Sequence, residues 1–162
     1  MEQGHALLAL IAIPMLTALL LVFVPSEKKD WIRYLCVLSA AAMFAISVYV
    51  FVAYEPSEDE QFSFLLRYNW IENVGILGEN GISLRLGVDG IAAMMILLNG
   101  VVTLAGTLIS WKIEHKNKDF FILFLLLTAG VFGTFSSLDL FAFFFFYELA
   151  VLPMYLLIAI WG

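Results

Sequence analysis

Residues 140–161 form a long apolar segment, LFAFFFFYELAVLPMYLLIAIW. It is long enough for a transmembrane helix, which needs about 20 apolar residues. It also contains one carboxylate, Glu148. A charged side chain at the bilayer centre costs about 2.5–3.5 kcal/mol on insertion scales, and such residues are usually functional. The stretch therefore predicts a membrane helix with a functional carboxylate.

The composition of the whole chain agrees with a membrane protein. Of its 162 residues, 63% are hydrophobic and 14% are charged, whereas soluble domains are about 45–50% apolar and about 25% charged. The chain has one cysteine, Cys36, and two histidines that lie far apart. This set predicts neither a disulfide nor a metal or iron–sulfur site. No glycine-rich phosphate loop is present, so we expect no cofactor in this chain.

Five apolar segments are long enough, or nearly so, to cross a bilayer: residues 6–24, 32–54, 88–111, 120–135 and 140–161. The first has no basic residue before it, unlike a signal peptide, and is predicted to be a retained transmembrane helix. The fourth is the shortest, and we expect it to extend to Leu138. The sequence therefore predicts an all-α integral membrane fold with about five transmembrane helices.

The basic residues indicate the orientation of these helices. Six of the eight flank the first and third connections: Lys28, Lys29, Arg33, Lys112, Lys116 and Lys118. The second connection contains Arg67 and Arg85 together with six acidic residues. The positive-inside rule assigns the more basic side to the cytoplasm. We therefore predict an inner or cytoplasmic membrane protein whose N-terminus lies outside.

The second connection contains a predicted β-hairpin. Residues 82–86, ISLRL, alternate between apolar and polar side chains, as a half-exposed strand does. Glu79-Asn80-Gly81 supplies turn-forming residues before it, and residues 65–76 supply a partner strand. The acidic segment at residues 55–60 is interpreted as a solvated loop. We therefore expect a small external hairpin.

Glu148 and Pro153 form the candidate site. Glu148 lies eight residues after Leu140, or about 12 Å along a helix. Pro153 cannot donate a hydrogen bond to the carbonyl of Leu149, so the helix is expected to kink or open beside Glu148. A freed carbonyl next to a carboxylate favours ordered water and proton movement. The alternative is a neutral Glu148 that hydrogen-bonds a neighbouring helix for assembly.

No lysine or arginine of this sequence falls at membrane depth. A basic partner for Glu148 must therefore come from elsewhere.

Four other residues are predicted to have structural roles. Asp89 stands at the outer start of the third helix, where an acid suits the helix N-terminus, and Asp139 is expected to cap the fifth helix. Gly130 and Gly133 allow close contact between helices.

Asn99 and Thr103, four residues apart, either hydrogen-bond a neighbouring helix or line a wet path. The phenylalanines at 143–146 surround their helix, which indicates lipid contact and packing.

The segment DLFAFFFFYELAVLPMY at residues 139–155, continuing to IWG at 160–162, closely resembles the M subunit of respiratory complex I. That family is the subunit-4 type of NADH–quinone oxidoreductase, an antiporter-like membrane subunit. LGVDGI at 86–91, SWK at 110–112 and the pair Phe120-Phe121 also fit its pattern. The resemblance covers essentially the whole chain and is strongest from Leu84 onward.

The resemblance implies a larger subunit of about fourteen helices with two inverted five-helix repeats, the first starting at the fourth helix. Residues 1–87 then hold two helices and the hairpin, and residues 88–162 hold three helices, of which the last two open the first repeat. It also implies that Glu148 is a proton-path carboxylate that pairs with a lysine on the seventh helix, and that Pro153 kinks the helix beside it.

The resemblance further implies a proton-translocating NADH:quinone oxidoreductase in which this chain carries no redox chemistry. FMN, iron–sulfur clusters and quinone are expected in other subunits. Expected partners are the lipid bilayer, other membrane-arm subunits including sister antiporter-like subunits, and a second chain that supplies the missing C-terminal helices. No nucleic acid is expected.

The sequence stops after five helices, before the expected lysine, so a split gene, a truncation and a partial sequence stay open. Two alternatives to proton translocation also stay open. One is a structural scaffold of the membrane arm. The other is a subunit of a related cation/proton antiporter or membrane-bound hydrogenase.

Overall fold

The computed structural model describes residues 4–54, 62–71 and 82–162. These residues form five long helices and one two-stranded sheet. In chain order the elements are α1 (Gly4–Phe23), α2 (Lys29–Val52), β1 (Ser63–Ile71), β2 (Ile82–Val88), α3 (Gly90–Ile109), α4 (Asn117–Ser136) and α5 (Leu140–Trp161), with a short 3₁₀ turn at Ser110–Lys112 after α3.

The predicted helices and hairpin are confirmed. All five helices are long and apolar enough to cross a membrane, and β1 pairs with β2 in an antiparallel sheet. The extension of the fourth helix to Leu138 is wrong. α4 ends at Ser136, because Ser137 bridges Leu86 and the Leu138 N–H donates to the Arg85 carbonyl at 2.9 Å. The predicted turn at residues 79–81 and the acidic segment at 55–60 lie outside the described residues.

α4 lies at the centre of the bundle. It packs against α1 on one side and α5 on the other, and it also contacts α3. Its buried residues include Phe121, Leu125 and Phe132, each at most 1% exposed. α2 completes the bundle by packing against α3 and α1. α5 packs mainly against α4, so it lies at the edge.

The hairpin covers one end of the bundle. It contacts the start of α1, and β2 also reaches α4 and α5. In β1 a bulge between Ser63 and Leu66 interrupts the register, and Phe64 has a positive φ of 59° there. The bulge turns the Phe64 ring inward, where it is buried and meets Tyr49 edge-on. The hairpin is thus fixed to the helices by side-chain packing.

The opposite end of the bundle gathers the basic connections. The Lys118 ammonium donates to the carbonyl of Val22 at 2.8 Å, which joins the start of α4 to the end of α1. The Arg33 guanidinium lies 5.9 Å from the Trp111 ring centroid, within cation–π distance. The Trp161 indole N–H donates to the His115 carbonyl at 3.0 Å. The first and third connections therefore lie at one end, as their charges predict.

Candidate functional site

Glu148 lies on the outer surface of the bundle formed by the described residues. It is exposed, as are Phe144 and Phe145 beside it. It borders a groove of about 490 Å³ between α4 and α5. Apart from Glu148, the groove is lined only by apolar side chains, namely Leu123, Leu126, Phe141, Phe144, Phe145, Leu149, Leu152 and Pro153.

Two glycines of α4 determine which face of α5 is buried. A Cβ at Gly130 would lie 2.6 Å from the backbone nitrogen of Ala150 and 2.8 Å from the carbonyl oxygen of Phe146. A Cβ at Gly133 would overlap the Phe146 ring. The backbones of α4 and α5 therefore touch at these positions, which confirms the predicted packing role of both glycines.

Helix geometry then directs Glu148 away from the close contact between α4 and α5. Successive residues of an α-helix are about 100° apart, so Glu148 lies on nearly the opposite side of α5 from buried Phe146. Three residues of α5 are buried, Ala142, Phe146 and Pro153, and they follow one stripe. The carboxylate is thus held at mid-helix by a rigid contact on the other side of its own helix.

Pro153 is buried in the same groove. α5 is continuous from Leu140 to Trp161, so the predicted opening of the helix at this proline does not occur. Pro153 still has no N–H to donate to the carbonyl of Leu149, one residue from Glu148. A bend at this position stays a prediction.

The lysines and arginines of the described helices lie far from the depth of Glu148. α1, α3 and α5 contain no lysine or arginine, and those of α2 and α4 fall within the first five residues: Lys29, Arg33 and Lys118. These residues lie at the end of the bundle that also holds Trp161. The described part of the chain therefore offers Glu148 no basic partner at its depth.

The two aspartates act as predicted. Asp89 accepts a hydrogen bond from the Ala92 N–H at 2.7 Å and caps α3. Asp139 accepts from the N–H groups of Phe141 and Ala142, at 2.8 and 3.4 Å, and caps α5. Both carboxylates satisfy N–H groups that a helix start leaves free.

Among the described residues, neither Asn99 nor Thr103 forms the predicted hydrogen bond to a neighbouring helix. The Thr103 hydroxyl is buried and donates to the Asn99 carbonyl of its own helix at 2.7 Å. The Asn99 side-chain nitrogen is buried without a hydrogen-bond partner among the described residues. In the same part of the chain, no three His, Cys, Asp or Glu side chains come together in a group that could hold a metal ion.

The sequence reasoning missed the α4 wall of the groove. Leu123 and Leu126 line it opposite Glu148. Together with Gly130 and Gly133 they follow the 3,4,3 spacing of one helix face. That spacing was the signal that could have identified the wall.

Comparisons with known proteins identify the relatives of this chain. No family model matches it. It is 33% identical over 156 residues to NAD(P)H-quinone oxidoreductase chain 4 2 of Trichodesmium erythraeum, covering 96% of this chain and 27% of the relative. It is also 33% identical to the chloroplastic chain 4 of Chara vulgaris, over 100% of this chain and 32% of that protein.

A solved structure shares the fold. It is that of the membrane-bound sulfane sulfur reductase, an archaeal respiratory membrane complex. A chain of this complex matches with a TM-score of 0.71 and 22% identity, over 94% of this chain and 30% of its own length. This chain spans 27–32% of the length of the two chain 4 relatives named above. It is a multi-pass membrane protein that is homologous, over nearly its whole length, to part of NAD(P)H-quinone oxidoreductase chain 4.

Proposed function

We propose that this chain forms part of a proton-translocating, antiporter-like subunit of an NAD(P)H–quinone oxidoreductase, and that Glu148 carries protons in it. Quinone reduction elsewhere in the complex supplies the energy. The relatives named chain 4 support the family. The observation that supports the role most is the mid-helix carboxylate itself, held at the edge of an apolar groove.

The chemistry of Glu148 favours a protein partner over lipid. A carboxylate facing hydrocarbon is costly unless it finds a polar or charged partner. Because its face of α5 is uncovered by the described residues, further helices that bring a basic side chain would stabilise the ionised form. We propose that another segment or another membrane-arm subunit supplies them. A proton is then held or released as that basic group approaches or withdraws.

The position of Pro153 in α5 supports this role of Glu148. It deprives the Leu149 carbonyl of a helical hydrogen bond, and this oxygen lies one residue from Glu148. A water bound there would join the carboxylate to the groove. The cluster of basic residues at the α1–α2 and α3–α4 connections supports a cytoplasmic location for that end, and we propose that the hairpin and the N-terminus lie outside.

The test is proton pumping by the assembled complex in membrane vesicles. Glu148→Gln and Glu148→Ala are expected to abolish most redox-driven proton movement while the complex still assembles. The matched control is Glu114→Gln, at an exposed position of the basic connection, which should pump normally.

Full pumping by the Glu148→Ala complex would contradict the proposal. If that variant is silent while substitutions at Gly130 or Gly133 prevent assembly, the chain is a scaffold. Dependence of transport on sodium would instead indicate a cation/proton antiporter.

A further inference from the structure

Tyr155 lies on the same face of α5 as Glu148. The two residues are seven apart in a continuous helix, so their side chains leave the axis within about 20° of each other and about 10.5 Å apart along it. Both are exposed, and Tyr155 is 70% exposed. This face of α5 therefore carries a hydroxyl group two turns beyond the carboxylate, towards the end of the bundle that gathers the basic connections.

The position of Tyr155 differs from that of an interfacial tyrosine, whose hydroxyl group lies at the level of the lipid headgroups. Tyr155 stands six residues before the end of α5 at Trp161, or about 9 Å along the helix. Side chains of an α-helix tilt towards its N-terminus, which in α5 means away from that end and towards Glu148. The hydroxyl group is thus at membrane depth, where an unpaired polar group is costly.

The helix itself offers one polar side chain on this face. Four side chains of α5 contain a nitrogen or an oxygen atom, namely Tyr147, Glu148, Tyr155 and Trp161. The Trp161 N–H donates to the His115 carbonyl. Tyr147 lies about 100° from Glu148 around the helix, and its ring stacks on that of Phe143 at a centroid distance of 6.3 Å. Glu148 is therefore the polar group of α5 that shares a face with Tyr155.

The segment between the two residues contains a backbone acceptor. Pro153 leaves the Leu149 carbonyl without its helical hydrogen bond. Helix carbonyl groups point towards the C-terminus, which here is the direction of Tyr155. An ordered water molecule needs two to four polar partners, and the Leu149 carbonyl, the Tyr155 hydroxyl and the Glu148 carboxylate supply three.

We propose that the Tyr155 hydroxyl relays protons from the basic end of the bundle to Glu148, through water bound beside the Leu149 carbonyl. This inference rests on the proposed proton-carrying role of Glu148. In each transfer the hydroxyl oxygen accepts a proton from water on its inner side and releases its own proton towards the carboxylate. Tyr155 is then unchanged, and Glu148 is protonated.

Proton pumping by the assembled complex in membrane vesicles, with rates normalised to the amount of complex, tests the relay. Tyr155→Phe removes the hydroxyl group and keeps the ring. It should slow redox-driven pumping about tenfold, less than the loss of about a hundredfold or more for a proton-transfer group that water cannot replace. The matched control is Tyr147→Phe, the same change beside Glu148 but on another face of α5, which should pump as wild type does.

Two further measurements separate a relay from a structural role. The solvent deuterium isotope effect on the pumping rate should increase in Tyr155→Phe, because delivery of the proton to Glu148 becomes slower than the other steps. The infrared carbonyl band that Glu148→Gln removes should shift in Tyr155→Phe, because the hydrogen-bond network of the carboxyl group loses one member. A change in packing alone alters neither.

Glu148→Gln, measured in parallel, distinguishes failure of the relay from failure of the proposed function. If Glu148→Gln stops pumping while Tyr155→Phe pumps as wild type does, the relay is overturned and Glu148 keeps its role. Equal losses in Tyr147→Phe and Tyr155→Phe, or a slow Tyr155→Phe complex with the isotope effect of wild type, would also overturn the relay. Full pumping by Glu148→Gln would overturn the proposed function and the relay with it.

Discussion

α4 and α5 are adjacent, similar in length and similarly apolar, yet they occupy opposite environments. Both are apolar enough to cross a membrane, but 44% of the apolar stretch of α4 is buried, against 11% of that of α5. α4 is surrounded by α1, α3 and α5, whereas α5 has α4 as its main neighbour. The helix with the costly carboxylate is the one that the described residues leave most exposed.

The difference shows what hydropathy can and cannot report. It measures the compatibility of a segment with lipid, which both helices satisfy. The position in the bundle is determined by shape, and here by the two glycines of α4 that admit α5 on one side. Glu148 lies away from that contact. Its side of α5 is therefore available to a partner.

The largest expected effect is at Gly130. Gly130→Leu places side-chain atoms where the backbone of Ala150 and the Phe146 carbonyl now lie, and backbone cannot move aside. We expect a loss of about 3 kcal/mol of stability, with α5 detached from α4, measured by thermal unfolding in detergent.

The control for that variant is Gly90→Ala, whose Cβ would make an ordinary contact of 3.5 Å with Tyr54. It should change little. Equal stability of the Gly130→Leu protein and wild type would refute the close α4–α5 contact.

The next largest effect is expected from the removal of a buried aromatic ring of α4. Phe121 is completely buried, so Phe121→Ala leaves a cavity. Because lipid tails solvate an aromatic ring as well as a protein core does, the cavity penalty dominates, and we expect a loss of about 2 kcal/mol. The same unfolding measurement checks it. An unchanged melting temperature would show that α4 is not the centre of the bundle.

Removal of the α5 cap has a smaller effect. Asp139→Ala leaves the N–H groups of Phe141 and Ala142 without their acceptor, at a cost of about 1 kcal/mol. Amide hydrogen exchange at these two residues should accelerate. Asp139→Asn is the matched control because it keeps an oxygen acceptor. Fast exchange in the asparagine variant as well would assign the effect to charge instead of capping.

The smallest effect is expected on the outward face of α5. Phe144 is 56% exposed, and Phe144→Leu should alter the unfolding of this chain by less than about 0.5 kcal/mol. Comparison of the two stability losses, for Phe144→Leu and Phe121→Ala, directly tests the difference in burial between α5 and α4. A loss as large as that of Phe121→Ala would show that this face already packs against residues of the same chain.

Much of the fold could be predicted from the sequence, because charged and turn-forming residues separate the apolar segments. Asp89 and Asp139 were assigned to helix starts by their place before an apolar run, and the strand at 82–86 was predicted by its alternation. The face of α5 that packs could not be predicted. Phe143–Phe146 surround the helix with rings of one kind, so no apolar stripe distinguishes a buried side.

The candidate site shows the same limit. The depth of Glu148 follows from counting residues along the helix, but its direction depends on the contact of Gly130 with Ala150, a tertiary feature. Thr103 illustrates a second limit. Its hydroxyl has a carbonyl acceptor within its own helix, which competes with any neighbour and is present in every α-helix.

Infrared difference spectroscopy of the full complex during quinone reduction tests directly whether Glu148 carries protons. If Glu148 carries protons, the carbonyl stretch of a protonated carboxyl group changes on turnover, and Glu148→Gln removes that signal while the complex stays assembled. A spectrum that is identical in wild type and Glu148→Gln would show that Glu148 does not change its protonation during turnover.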